Sequence, residues 1–263
     1  MYVKDTKYAF GTQFKTNSSG VCTVIKYENA GNVYVMFEDG TFVKVSSGNL
    51  RSGSVKNPNK PSIFGVGIND FELVHGHPSS ERLGGKTVSD KKFMMWQAML
   101  ARSFSEYTKR SRPTYEDVSC IESWKTYSNF YKDVSSLRGF DKALVEGWVL
   151  DKDILVKGNK IYSPETCCFV PPEINGCFTL RSLNRGGLPL GVSRNEYGLP
   201  YKARCGYDGE RVLIGNYKTP EEAFEAYKVV KKREILRLAE KWKGKIDDKV
   251  YESLLQWKIE ITD

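Results

Sequence analysis

Apolar and polar positions alternate strictly through much of residues 10–56. The runs "CTVIKYE" and "NVYVMFEDGTFVKVS" put Val, Tyr and Phe at alternate positions, the spacing of strands with one buried face. "NAGN" (29–32) and "EDG" (38–40) are turn signals, the second carrying the Asp-Gly pair of tight hairpins. Such closely spaced short strands predict a small β barrel over residues 1–75. "NPNKPSIFGVG" (57–67) leaves the strands as a Pro/Gly-punctuated connection, and polar residues 76–92 read as a linker.

The period then changes. Phe93, Trp96, Met99, Leu100 and Phe104 recur at helical spacing, and so do Trp124, Tyr127, Phe130, Tyr131 and Val134. Both stripes are read as core packing of a helical scaffold. Next comes "LDKDILVKGNKIYSPETCCFVPPEIN" (150–175): strand-like, then turn-rich, then the short apolar strand "CCFVP", with Pro opening a short helix at "PPEINGCFTLRSL". Three short strands are expected at 190–194, 200–206 and 210–215. A helix should open at "TPEE", with Thr219 as N-cap, Pro220 at the first turn and Glu222 completing a capping box. Residues 246–263 predict a short helix and a strand. The fold class is therefore α+β and multi-module, divided at 1–75, 76–92, 93–185 and 186–263.

Charge sharpens this division. Residues 181–245 carry 15 basic and 8 acidic side chains, most of the chain's net +8, whereas residues 246–263 carry 2 and 5. A localised basic excess suits a polyanionic partner, nucleic acid first. The chain holds no apolar run of the roughly 18–20 residues a membrane span needs, and "MYVKDTKYAFG" lacks the layout of a signal peptide. No membrane partner and a soluble, cytoplasmic location are expected. The 6 Cys form no CxxC pair and are expected as free thiols, and His75 and His77 read as a loop, so no zinc is expected.

The stretch 150–175 holds the candidate chemistry. Strand geometry across 148–152 puts Asp151 and Asp153 on one face and Lys152 on the other. Mg²⁺ needs only one or two protein oxygens, because water and phosphate complete its shell. Asp151 and Asn175 supply such oxygens, and Asn159 is placed to pin the loop by bonding backbone groups. A plain polar hairpin fits the same residues.

The phrases "LDKDIL", "GNKIYSPETCCFVPPEIN", "WQAMLAR" (96–102), "RPTY" (112–115) and "WKTYSNF" (124–130) resemble phage-encoded HNH-type proteins with the ββα-metal fold. The resemblance covers about 93–180. It implies a metal-dependent DNA endonuclease, homing-like and of phage or prophage origin, with Mg²⁺ or Mn²⁺ held by Asp151 and Asn175 and with Asn159 at the loop position. The His expected as general base falls on Lys152, and a lysine of ordinary basicity keeps its proton at neutral pH. Two routes are open: burial or a neighbouring metal lowers that basicity and Lys152 serves as base, or Lys152 holds the phosphate while a metal-bound hydroxide attacks.

The segment "GVSRNEYGLPYKARCGYDGERVLIGNYKTPEEAFEAYKVV" resembles the APETALA-type DNA-binding domain of ethylene-response factors, in which a three-stranded sheet lies in the major groove of duplex DNA. Carried over by position, this places Arg194, Lys202, Arg204 and Arg211 on DNA-facing strands. The N-terminal module resembles the front module of the same phage proteins, an SH3- or Tudor-like barrel that could contact DNA or a host protein. A single hairpin predicts nicking of one strand, and a homodimer would be needed for a double break. The alternative is a catalytically inactive DNA-binding regulator or host-interference protein that retains the nuclease scaffold.

Overall fold

The computed structural model describes residues 6–83, 86–178 and 186–263. The fold is mixed α+β with several antiparallel sheets. It divides into two compact units: residues 1–90 with 125–128, and residues 91–124 with 129–263. Apart from residues 125–128, the expected modules 93–185 and 186–263 thus fall in one unit, and residues 179–185 next to their expected boundary are outside the described residues. Among the described residues, no helix is long and apolar enough to cross a membrane.

In the first unit β1 (Gln13–Lys15), β2 (Val21–Asn29), β3 (Asn32–Phe37) and β4 (Phe42–Val45) form one antiparallel meander. Its alternation buries Cys22, Val24, Val33, Val35 and Phe37, closed by Tyr8, Leu50 and Val55. The helix α1 (Ser47–Ser52) starts where Ser46 caps the Asn49 N–H. The helix α2 (Phe71–His75) follows, so His75 ends a helix rather than sitting in a loop. Residues 76–92, expected as a linker, contain an antiparallel ribbon of β5 (Ser80–Leu83) and β6 (Lys86–Ser89). The Thr and Val of "KTVS" are β-formers, and Gly-Gly sits between the strands, a hairpin signal that outweighs the polar composition.

In the second unit α3 (Lys91–Phe104) and α4 (Glu106–Ser111) lead to β7 (Ser119–Cys120) and α5 (Tyr127–Val134), whose first two residues belong to the other unit. The stripe on α3 is core: Phe93, Trp96, Met99 and Leu100 are buried. Trp96 Nε1 donates to Trp124 O at 2.6 Å, and Trp124 Nε1 to Asp133 Oδ2 at 2.9 Å, so both indoles satisfy their polar edge.

The chain continues through α6 (Phe140–Val145), β8 (Val149–Asp151), β9 (Ile161–Tyr162), β10 (Cys168–Val170) and α7 (Pro172–Phe178). Antiparallel pairing sets Asp151 opposite Cys168 and Val149 opposite Val170, while β9 runs parallel to β7. At Gly139 φ is +76°, and a Cβ would stand 2.5 Å from Phe169 O, so only glycine lets α6 start against β10.

Finally β11 (Val192–Arg194), β12 (Tyr201–Tyr207) and β13 (Glu210–Tyr217) form an antiparallel sheet covered by α8 (Pro220–Trp242), with α9 (Asp248–Gln256) behind. Thr219 caps the Glu222 N–H at 3.1 Å, and Glu222 Oε2 accepts from Lys218 N, one residue earlier than a capping box requires. Trp257–Asp263 forms no strand. In place of the expected strand, Lys157 and Lys232 bond the carbonyls of Lys258 and Trp257 singly, and among the described residues no strand pairs with this segment.

Candidate functional site

Strand β8 ends at Asp151, and the chain bends through 152–157. This bend overturns the expected alternation of Asp151, Lys152 and Asp153. The buried Asp151 turns Oδ1 back on its own chain, accepting from Asp153 N at 2.9 Å and Ile154 N at 2.8 Å. Lys152, also buried, is not on an opposite face: its Nζ pairs with Asp153 Oδ2 at 3.1 Å. Asn159 Nδ2 donates to Lys152 O and Ile161 O, both at 2.7 Å, and Oδ1 accepts from Ile161 N. One side chain thereby ties the two sides of the loop.

Burial pushes the Asp151 carboxyl up to about 6, and the neighbouring Asp153 carboxylate adds to the rise against two backbone hydrogen bonds that favour the anion. Cys167, buried on the approach to β10, is pushed up to about 12, chiefly by desolvation, with the Asp151 charge acting in the same direction. It is an unreactive thiol. Among the described residues all 6 cysteines are free, and no group of three or more His, Cys, Asp or Glu side chains gathers as a metal cluster.

A hard divalent cation needs fewer donors than such a cluster. Two neighbouring carboxylates, one with its ionised form disfavoured by the other, are the chemistry that such a cation relieves. Asp151 and Asp153 are the two carboxylates of this bend. Asn175 lies on α7, which packs against β8, and its N–H bonds Pro171 O at 3.2 Å.

A second surface lies on the sheet of β11–β13. Ala203 and Cys205 are buried beneath α8, so Lys202 and Arg204 point outward. The register pairs Arg204 with Leu213 and Gly206 with Arg211, which brings Arg211 to the same outer face. A bulge at Ala203/Arg204 kinks this face, and Leu213 on it is 52% exposed. Among the described residues Lys202, Arg204 and Arg211 form no ion pair. Arg194 falls elsewhere. It pairs with Tyr201, the parity of Val192 and Ala203, and so belongs to the helix-side face, where it lies 5.9 Å from the Tyr201 ring.

The helix α8 packs against both the sheet, on its inner face, and α7. Glu234, buried at the middle of α8, holds Arg237 by two bonds at 2.7 and 2.9 Å, and Arg237 reaches Asp208 in the β12–β13 turn at 3.0 Å. Further along, Lys231 donates to Cys177 O, while Lys241 and Trp242 both donate to Glu173 of α7. Gly191 at the start of β11 has φ +78°, and a Cβ there would overlap the Tyr227 ring of α8, so glycine permits the closest approach of sheet and helix.

Sequence reasoning did not single out Asp153 or Arg102 for the site. Asp153 was placed on the face of Asp151 but not named as a ligand. Arg102 had a signal, a lone cation three residues beyond the buried Met99 on the apolar stripe of α3. No family model matches this chain, and neither does any curated protein or solved structure.

Proposed function

We propose that the chain binds duplex DNA through the outer face of β11–β13, and that the hairpin of β8, its loop, β10 and α7 is a divalent-metal-dependent, HNH-type endonuclease site that nicks one strand. The observation that carries the reading is the outer face itself: Lys202, Arg204 and Arg211 stand together with no ion pair among the described residues. Unpaired cations on one face meet a polyanion at little cost, since no protein carboxylate must first be displaced. Arginine also reads guanine edges through two parallel bonds, whereas lysine mainly holds phosphate.

The hairpin supplies the rest. Asp151 and Asp153, with Asn175 on α7, would hold the cation, which supplies Lewis-acid polarisation of a phosphodiester. Lys152, through its ion pair with Asp153, sits where its charge can favour a phosphate close to the carboxylates. Asn159 keeps the loop shaped, and desolvation around Ile154, Cys167 and Cys168 strengthens every charge interaction there. The phage-type module pattern, a small SH3- or Tudor-like barrel in front, completes this reading.

Duplex binding is tested by fluorescence anisotropy at several salt concentrations. Arg204→Ala with Arg211→Ala is expected to weaken binding at least tenfold and to flatten the salt slope by about two. Unchanged affinity would remove the sheet as the DNA face. One observation favours a second reading. The side chain at the expected base position, Lys152, is buried and engaged with Asp153, which suits a DNA-binding protein that keeps the hairpin as scaffold.

A further inference from the structure

Arg102 sits on the last turn of α3, three residues after the fully buried Met99, and its guanidinium carbon lies 5.3 Å from the centre of the Tyr162 ring. Its Nε is buried, and among the described residues no acceptor lies within hydrogen-bond distance of it. The residue as a whole is only half-buried, so the rest of the fork is not enclosed. A buried charged donor almost always finds a partner, because leaving it unmet costs as much as the hydrogen bond it forgoes. Arginines with a purely structural role turn Nε onto a carbonyl or a carboxylate. This one is braced on an aromatic face instead.

The bracing residue belongs to the hairpin. Tyr162 is buried at the end of β9, directly after Ile161, whose carbonyl and N–H are bonded by Asn159. Asn159 also bonds the carbonyl of Lys152, so the Tyr162 ring, Lys152 and Asp151 are parts of one loop framework. The Tyr162 hydroxyl feels the charges of both Arg102 and Asp151. Arg102 thus meets the hairpin at Tyr162, whose loop framework also holds Lys152 and the two carboxylates of the bend.

We propose that Arg102, lying over Tyr162, is an anion-binding residue of the hairpin that receives a phosphodiester on the open Nη side of its fork, the ligand's charge also compensating the unmet Nε–H. The planar fork of arginine matches two oxygens of a phosphate at once, and an aromatic platform fixes the plane of that fork before the ligand arrives. The inference deepens the nucleic-acid reading of the hairpin, but it requires only that a phosphodiester docks there, not that it is cut.

The test uses the full chain and dimethyl phosphate as probe. In ¹H–¹⁵N spectra the Arg102 Nε–Hε signal is identified by its loss in Arg102→Lys, and the diester is titrated with and without duplex DNA. The proposal expects a saturable shift of that signal, displaced by duplex. It also expects duplex affinity to fall roughly tenfold in Arg102→Gln and less in Arg102→Lys, which keeps the charge but loses the fork. Tyr162→Phe, which keeps the ring, should bind as wild type does. A signal unmoved at saturating diester overturns the proposal, whatever the stability of the variants. A shift without strand cleavage would keep the anion site and remove the endonuclease reading alone. Cleavage with KM and kcat unchanged in Arg102→Gln would remove the anion site alone.

Discussion

The Glu173 carboxylate of α7 accepts a hydrogen bond from Lys241 of α8 at 2.8 Å. The short helix that carries Asn175 is thereby fastened to the long helix that carries the basic sheet. Trp242 donates to the same carboxylate, and Lys231 to the carbonyl of Cys177. Burial opposes the ionised form of Glu173, yet the bonds from Lys241 and Trp242 win and hold its pKa below the usual value.

Glu173→Ala should therefore cost about 1–2 kcal/mol, combining a partly exposed ion pair with one lost indole bond. Urea denaturation at pH 7 measures it. Because the folded pKa is depressed, the contribution is present above the ordinary glutamate range and fades as pH falls through the folded value. Wild type and Glu173→Ala should therefore converge in stability toward pH 3. A constant gap would show that the carboxylate's charge plays no part.

Asp151 behaves in the opposite sense. Its folded pKa is raised to about 6 from 3.8, so the native state holds the proton more tightly than the unfolded chain. Stability should fall as pH rises from about 4 through 6, by roughly 2–3 kcal/mol. Asp151→Asn keeps an oxygen for the N–H groups of Asp153 and Ile154, so it should remove that slope and stabilise the protein at pH 7. Mg²⁺ at millimolar concentration should flatten the slope in wild type and leave Asp151→Asn unaffected. Thermal melts across pH, with and without Mg²⁺, provide the check.

These two carboxylates also show how far the sequence was legible. Strand alternation found the sheet of β11–β13, the outward Lys202 and Arg204, and the capping threonine of α8, because each rests on local periodicity or local hydrogen bonding. The same rule misplaced Lys152, because alternation holds only while the strand continues and β8 stops at Asp151. Arg194 was assigned by position in a motif, and only the pairing register reveals its opposite parity. Asn159 was readable as a turn residue, whereas the clasp between Glu173 and Lys241 spans 68 residues and leaves no local trace.

The Glu234–Arg237 pair gives a sharper stability test. Glu234 has a side chain only 8% exposed, and Arg237 also anchors Asp208, whose φ is +51° at the tip of the β12–β13 turn. Arg237→Ala leaves a buried carboxylate without its cation and should cost about 3 kcal/mol, more than a surface pair would. Removing both partners, as Glu234→Leu with Arg237→Met, should cost clearly less than Arg237→Ala alone. A double-mutant cycle with no coupling would show that the pair is not holding the turn.

Lys157 in the hairpin loop bonds Lys258 O at 2.9 Å, Glu260 Oε2 at 3.1 Å and Asp263 Oδ1 at 2.7 Å. Lys157→Ala should release Trp257–Asp263 at a cost of about 1 kcal/mol. Hydrogen exchange should rise at the tail and leave β8 and β10 protected. Unchanged exchange at the tail would mean that Trp257, packed on Phe178 at 4.4 Å and bonded at its carbonyl by Lys232, holds it without Lys157.

The central claim is that the hairpin turns DNA binding into metal-dependent strand cleavage. Supercoiled plasmid incubated with the protein and Mg²⁺ or Mn²⁺ tests it most directly, with Asp151→Ala alongside. The account predicts conversion to the open-circular form by wild type, abolished by chelator and lost by at least a hundredfold in Asp151→Ala, the scale of removing a group that holds the catalytic cation. Plasmid left supercoiled by wild type, or nicked equally by Asp151→Ala, would contradict it.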